Sequence, residues 1–150
     1  MNRLIEFQIS AILQNSNASK QKIGQKLAYH FGLTPGSRGA DDGIDGILKN
    51  SGCIIHFQCK LRSTLLDRDD ARAYFSDINF HKANISIMLS GVGFKDTFTE
   101  RLYGQEGISE VEIHLLQLKD VFEKNDKYLK ACQSLPALRY LDENIKAELG

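Results

Sequence analysis

Gly39-Ala40-Asp41-Asp42-Gly43-Ile44-Asp45-Gly46 and, beyond a polar turn, Cys53-Ile54-Ile55-His56-Phe57-Gln58-Cys59-Lys60-Leu61 are the two stretches from which the rest of the chain can be read. The second is rich in β-branched and aromatic residues and has the length of a strand. Successive strand side chains point to opposite faces, so Cys53, Ile55, Phe57, Cys59 and Leu61 share one face and Ile54, His56, Gln58 and Lys60 the other. One face is expected to be core, and the other to end in polar chemistry. With Ile44–Leu48 as the first strand and Lys49-Asn50-Ser51-Gly52 as a four-residue connection, the pattern predicts a β-hairpin. Asp45 then lies across from the end of the second strand, and Asp45, Gln58 and Lys60 are expected to converge.

Outward from the hairpin, apolar residues recur at helical spacing over 3–14 (Leu4, Ile5, Ile9, Ile12, Leu13) and 19–32 (Ile23, Leu27, Ala28, Phe31). Asn17 or Ser19 is the expected cap of the second helix. Gly32 to Gly46 holds five glycines, one proline and three aspartates, which rules out a continuous helix there. Residues 68–80 predict a helix capped by Asp67, with Ala71, Tyr74, Phe75 and Ile78 on its apolar side; Phe80 is also read as core. A buried strand is expected over 84–90, ended by Gly91-Val92-Gly93, then a helix over 95–103, a strand over 109–116 and a helix over 118–132. Ser134-Leu135-Pro136 closes that helix and opens a last one. The order predicts an α/β protein, a mixed central β-sheet flanked by helices.

The chain has 150 residues, 42% hydrophobic and 25% charged, the composition of one soluble globular domain. Cys53, Cys59 and Cys132 show neither disulfide-framework nor zinc-ligand spacing, and a reducing cytoplasm is the expected setting. No apolar run approaches the roughly 20 residues of a membrane span, so neither secretion nor membrane insertion is expected. Formal net charge is zero, which argues against a protein that coats nucleic acid by charge alone. Residues 1–82 nevertheless hold 11 Lys and Arg against 8 Asp and Glu, so a phosphate-binding face is expected in the first half.

Aspartates among glycines are common turn chemistry, but their joint spacing with Gln58 and Lys60 argues for a site. An EF-hand is excluded, because with Asp41 as the first loop position Gly43 and Gly52 fall at the third and twelfth, which must carry ligands. Gly91-Val92-Gly93 lacks the third glycine of a dinucleotide fingerprint, and no Walker lysine pattern occurs. Phosphodiester hydrolysis needs a divalent cation against a phosphate oxygen and a group that offsets developing charge. Asp45 and the Gln58 amide oxygen are hard oxygen donors suited to Mg²⁺, and Lys60 is a cation able to orient water or stabilise charge. His56 is read as a structural strand histidine and Cys59 as a small buried hydrophobe. Of the basic residues Arg38, Lys49, Arg62, Arg68 and Arg72, Arg38 and Arg62 adjoin the motif and are the best candidates to touch phosphate.

Asp45-x12-Gln58-x-Lys60, preceded by the acidic run Gly39 to Gly46, resembles the PD-(D/E)XK nuclease superfamily, and within it the Mrr-like restriction endonucleases, in which Gln in the Glu position is a family variant. The resemblance extends to the helix before the motif, the helix after it and Ile87-Met88-Leu89-Ser90-Gly91-Val92-Gly93-Phe94, covering about residues 19–120 with a helical extension over 118–150. It implies a restriction-endonuclease-like fold, a Mg²⁺-dependent endonuclease (Mn²⁺ as substitute) with Asp45, Gln58 and Lys60 as catalytic residues and Asp45 and Gln58 at the metal, and a homodimer cutting double-stranded DNA. Archaeal Holliday junction resolvases share the core, which adds branched DNA. Helix 19–32 departs from the pattern in offering Gln21 and Gln25 where relatives often carry an acid. The alternative is a nuclease-fold module with little or no turnover that binds nucleic acid or a partner protein.

Overall fold

A computed structural model describes residues 3–36 and 45–136. Arg38, Asp41, Asp42, the start of the predicted first strand at Ile44, and the predicted last helix after Pro136 lie outside the described residues.

Two helices come first, α1 (Arg3–Leu13) and α2 (Asn17–His30). Ser16, not Asn17 or Ser19, caps α2: its hydroxyl accepts from the Ser19 N–H at 3.2 Å, the usual reach from N-cap to third residue. Ile23, Leu27, Ala28 and Phe31 are all buried, as the helical spacing predicted. The α1 stripe holds only at its C-terminal end. Ile12 is fully buried, whereas Leu4 is 61% exposed.

β1 (Thr34–Pro35), β2 (Gly46–Asn50) and β3 (Cys53–Lys60) form an antiparallel meander. β1 has no signature in sequence, since two residues in a glycine-rich stretch show no alternation. The hairpin connection is two residues rather than four. Ser51 (φ 50°) and Gly52 (φ 81°) both adopt left-handed backbone, the conformation of the tight turn whose twist matches paired strands, so Lys49 and Asn50 extend β2. Gly46 is required by crowding: a Cβ there would stand 2.6 Å from the Ala28 Cβ on α2.

Next come α3 (Arg68–His81), β4 (Ile85–Ser90), α4 (Asp96–Tyr103), a 3₁₀ turn (Ile108–Glu110) and β5 (Glu112–Gln117). β4 and β5 add parallel to β3, giving the order β1-β2-β3-β4-β5. Parallel neighbours need a crossover, and α3 and α4 supply them. Asp67 caps α3 as expected, in a reciprocal box. Its carboxylate accepts from the Asp69 and Asp70 amides at 3.0 and 3.1 Å, and the Asp70 carboxylate accepts from the Asp67 amide at 2.9 Å. Phe80 is not core. At about 100° per residue it lies some 200° around the helix from Ile78, and it is 68% exposed with its ring edge-on to His81.

The single helix predicted over 118–132 is two, α5 (Leu118–Glu123) and α6 (Asp126–Cys132). Lys124 turns left-handed (φ 51°), and Asn125 ends one helix and caps the next. The Asn125 amide donates to Asp120 at 2.7 Å while its oxygen accepts from the Tyr128 N–H at 3.2 Å. Two cores result. Ile55, Phe57, Ile87, Leu89 and Leu116 pack toward α1, α2, α5 and α6. Met88 packs toward α3 and α4 with Tyr74, Ile78, Phe98 and Leu102. The architecture is α/β, a five-stranded mixed sheet flanked by helices. No described helix is long and apolar enough to cross a membrane.

Candidate functional site

Asp45 stands one step before the ladder pair Gly46–Phe57. Its N–H donates to the Phe57 carbonyl at 2.9 Å and its carbonyl accepts from Gly36 at 2.8 Å, so the backbone is held on both sides. The carboxylate accepts from the Cys59 N–H at 2.7 Å. That peptide separates Gln58 from Lys60, and a hydrogen bond to a charged acceptor contributes roughly 1.5–3 kcal/mol. Asp45 is therefore anchored at the end of β3 rather than left as a loop residue.

The carboxylate borders a cavity of about 440 Å³ between α2 and the end of β3, walled by Asn17, Lys20, Gln21, Gly24, Cys59 and Leu61. Gly24 keeps the wall thin: even a Cβ there would stand 3.6 Å from the Cys59 Cβ and 3.9 Å from the Asp45 carboxylate. Gln21 belongs to this wall. Gln25 does different work, donating to the Gly36 carbonyl at 3.0 Å and tying the glycine-rich segment to α2. Lys20 is a cavity residue that the sequence reading passed over. Its position four residues before Gly24, on the same helix face, was the available signal.

Gln58 and Lys60 leave the strand on the other face, as alternation predicted. Gln58 is 6% exposed, and its amide nitrogen donates to Asp77 of α3 at 3.1 Å. Its amide oxygen is buried without a hydrogen-bond partner among the described residues. Such an acceptor costs roughly 1–3 kcal/mol. Lys60, half-buried, pairs across the sheet with Ser90. The expected convergence on one face is thus not how the side chains lie: Asp45 opens toward α2, Gln58 toward α3, and the Cys59 peptide joins them. Asp77 had no motif to betray it, only its place three residues after Tyr74 on the sheet-facing side of α3.

His56 is fully buried, with Nδ1 2.8 Å from the Ser86 hydroxyl, which in turn is 2.6 Å from the Tyr74 hydroxyl; the His81 ring stacks on it at 5.6 Å. This is the structural histidine the sequence suggested. Burial pushes the Cys59 thiol well above its ordinary pKa, the Asp45 carboxylate adds to the rise, and Lys60 partly offsets it. A neutral thiol is no nucleophile, and its opposing neighbours mark Asp45 and Lys60 as close charges of opposite sign. Arg62 reaches Asp70 at 2.8 Å, so part of its guanidinium is committed to α3, although its side chain is 49% exposed. Arg72 pairs with Asp69 at 3.2 Å on the surface.

The oxygen donors, a carboxylate and an amide, are of the kind a hard divalent cation takes, but the cavity that Asp45 borders is not lined by Gln58, whose amide is buried against α3. Among the described residues no three His, Cys, Asp or Glu side chains gather into a metal group, so water and backbone would complete any coordination shell. No protein-family model matches the chain and no curated protein matches it, so the likeness to PD-(D/E)XK nucleases rests on the motif residues themselves.

Proposed function

We propose that this domain is a Mg²⁺-dependent endonuclease of the PD-(D/E)XK kind, with a restriction-endonuclease-like fold, acting on DNA. The observation that carries the reading is the Asp45 carboxylate bonded to the peptide N–H between Gln58 and Lys60. It ties the three motif residues to one strand end beside an open polar cavity.

Asp45 would hold the cation from the α2 cavity, and Gln58 would join it as an oxygen ligand only once its amide turns from the α3 face; the cation would supply charge neutralisation at the phosphate and a more acidic bound water. The Cys59 N–H keeps the Asp45 carboxylate oriented and lowers the entropy lost when a ligand binds. Lys60 offsets the negative charge that grows on the phosphate oxygens and orients the attacking water. Lys20 lines the same cavity and offers a cation for the DNA backbone, in the manner of a phosphate contact that positions without reading sequence. Both strands of a duplex are cut when two such sites face it, which a homodimer provides.

Full-length wild type, Asp45→Ala and Lys60→Ala are incubated with supercoiled plasmid at low salt in Mg²⁺, Mn²⁺ or EDTA. Wild type nicks or linearises the plasmid only with metal. Removing Lys60 lowers the rate by roughly 100- to 1,000-fold, the size of a lost charge-stabilising donor. Equal cleavage by folded wild type and both variants would refute the assignment.

A second reading has its own observation. The Gln58 amide is engaged by Asp77 on the face away from the Asp45 cavity, which suits a nuclease-fold module that binds nucleic acid without turnover. That module binds DNA in EDTA, with affinity falling steeply as salt rises. Binding that appears only with divalent metal excludes it.

A further inference from the structure

The two edges of the sheet are treated differently. β1 closes one edge with two residues, one of them Pro35, which has no N–H to offer a further strand. That edge is blunted. β5 forms the other edge with six residues and no proline. Strand residues direct their N–H and C=O groups alternately to the two sides. The Glu112 N–H donates to the Asn84 carbonyl at 2.9 Å and the Leu116 carbonyl accepts from the Ser90 hydroxyl at 3.4 Å, so Glu112, His114 and Leu116 face β4. Ile113 and Leu115 face outward, and no described residue bonds to their N–H and C=O groups.

Both residues line a groove of about 570 Å³. α4 contributes Thr99 and Tyr103 to one wall, on the side where Ile113 and Leu115 pack, and α6 contributes Lys127, Lys130 and Gln133 to the other. The first wall is uncharged where it lines the groove. The second carries two exposed lysines that form no ion pair with a described residue. Glu112 also lies in the groove, but its charge is already met: the Ser134 hydroxyl first, and then His114 at 2.6 Å, hold its carboxyl below the usual range.

We infer that the β5 edge is a docking groove for an extended segment of a partner protein, added as a sixth strand with acidic side chains toward α6 and apolar ones toward α4. Backbone pairing supplies the affinity of such a strand, and the unlike walls supply its selectivity. Successive strand side chains point to opposite faces, so the segment alternates acid with apolar. A second copy of this chain suits the edge less well. Antiparallel β5–β5 pairing about a two-fold axis sets the lysine-bearing helices of both copies on the same face, like charge against like. It also turns the two Asp45 cavities in opposite directions, away from a shared duplex.

The probe is a capped hexapeptide of alternating glutamate and valine, titrated into the full-length chain and followed by NMR. In the free chain the Ile113 and Leu115 amides exchange with solvent quickly and those of His114 and Leu116 slowly, because only the latter bond to β4. Peptide slows exchange at Ile113 and Leu115 and shifts both with one affinity. A lysine–valine hexapeptide binds roughly tenfold or more weakly, and Lys127→Glu combined with Lys130→Glu reverses that preference. The glutamate peptide methylated on every amide nitrogen does not bind. Equal affinity for the glutamate and lysine peptides would overturn the acidic assignment, and equal affinity for the methylated peptide would overturn strand addition. No change at either amide with millimolar peptide overturns both. So does protection of Ile113 and Leu115 in the free chain: if independent of concentration, the chain covers its own edge, and if it grows with concentration, a second copy does. Both lysines are exposed, so the double variant keeps the fold, and the peptide comparisons decide the question without it.

Discussion

One strand, β3, presents two faces that are stabilised in different ways. Toward α2 it offers Ile55, Phe57 and Leu61 to a core of aliphatic and aromatic residues, and Asp45 arrives at the strand end against a backbone N–H. Toward α3 it offers His56 and Gln58, and the facing helix answers with Tyr74, Asp77 and His81. The first face tolerates imperfect partners, because apolar contact is non-directional and scales with buried area. The second does not. Each polar atom there must meet a specific complement, since a buried donor or acceptor without one costs more than a made hydrogen bond contributes. Gln58 is therefore engaged through its nitrogen, and its oxygen meets no donor among the described residues.

The contrast can be broken most strongly at Phe57, which is fully buried between the sheet and Phe31. Phe57→Ala lowers unfolding free energy by about 3–5 kcal/mol, the transfer loss plus the cavity left behind. Chemical denaturation measures it, and a shift under 1 kcal/mol would mean that the α2 face is loosely packed.

On the opposite face the next largest effect belongs to Ser86, whose hydroxyl serves both His56 and Tyr74. Ser86→Ala removes little area but strands two buried groups, for a loss of about 1–3 kcal/mol. Adding Tyr74→Phe removes one stranded group, so the double variant loses less than the sum of the single losses. Strict additivity would show that the hydroxyls are not coupled.

A smaller effect sharpens the electrostatic link between Asp45 and β3. Burial first, and then the Asp45 carboxylate, raises the Cys59 thiol pKa, and thiolate is the reacting form. In native protein Cys59 alkylates slowly at pH 8, and Asp45→Asn accelerates it by removing the second cause. An unchanged rate would separate Asp45 from Cys59 electrostatically.

The smallest effect lies at the start of α3. The Asp67 carboxyl is held below its ordinary pKa chiefly by the Asp70 backbone N–H. A depressed folded-state pKa means stabilisation that is complete above the unfolded group's pKa and lost as pH falls through the folded value. The thermal midpoint of wild type should therefore approach that of Asp67→Asn as pH drops from 6 toward 3. A gap that persists in acid would assign the cap to geometry rather than charge.

Much of this molecule was legible from residues close together in the chain. The alternation in Cys53 to Leu61 separates the two faces of β3, the spacing of Ile23, Leu27, Ala28 and Phe31 defines the buried side of α2, and Asp67 announces α3. Local rules mislead where two neighbouring signals compete. Ser16 outcompeted Asn17 as a cap, Asn125 divided one helical pattern into two, and Ser51 and Gly52 sufficed for a turn that the composition suggested was longer.

The sequence by itself determined which residue types stand at the end of β3: an aspartate before β2, and a glutamine and a lysine two positions apart. Tertiary structure alone decided what those side chains meet. Asp45 finds the Cys59 N–H across 14 positions and Gln58 finds Asp77 across 19, distances over which neither helical nor strand periodicity carries information. The physical reason is that periodicity selects a face, whereas the direction of a polar group on that face is chosen by whichever donor or acceptor the packed neighbour supplies.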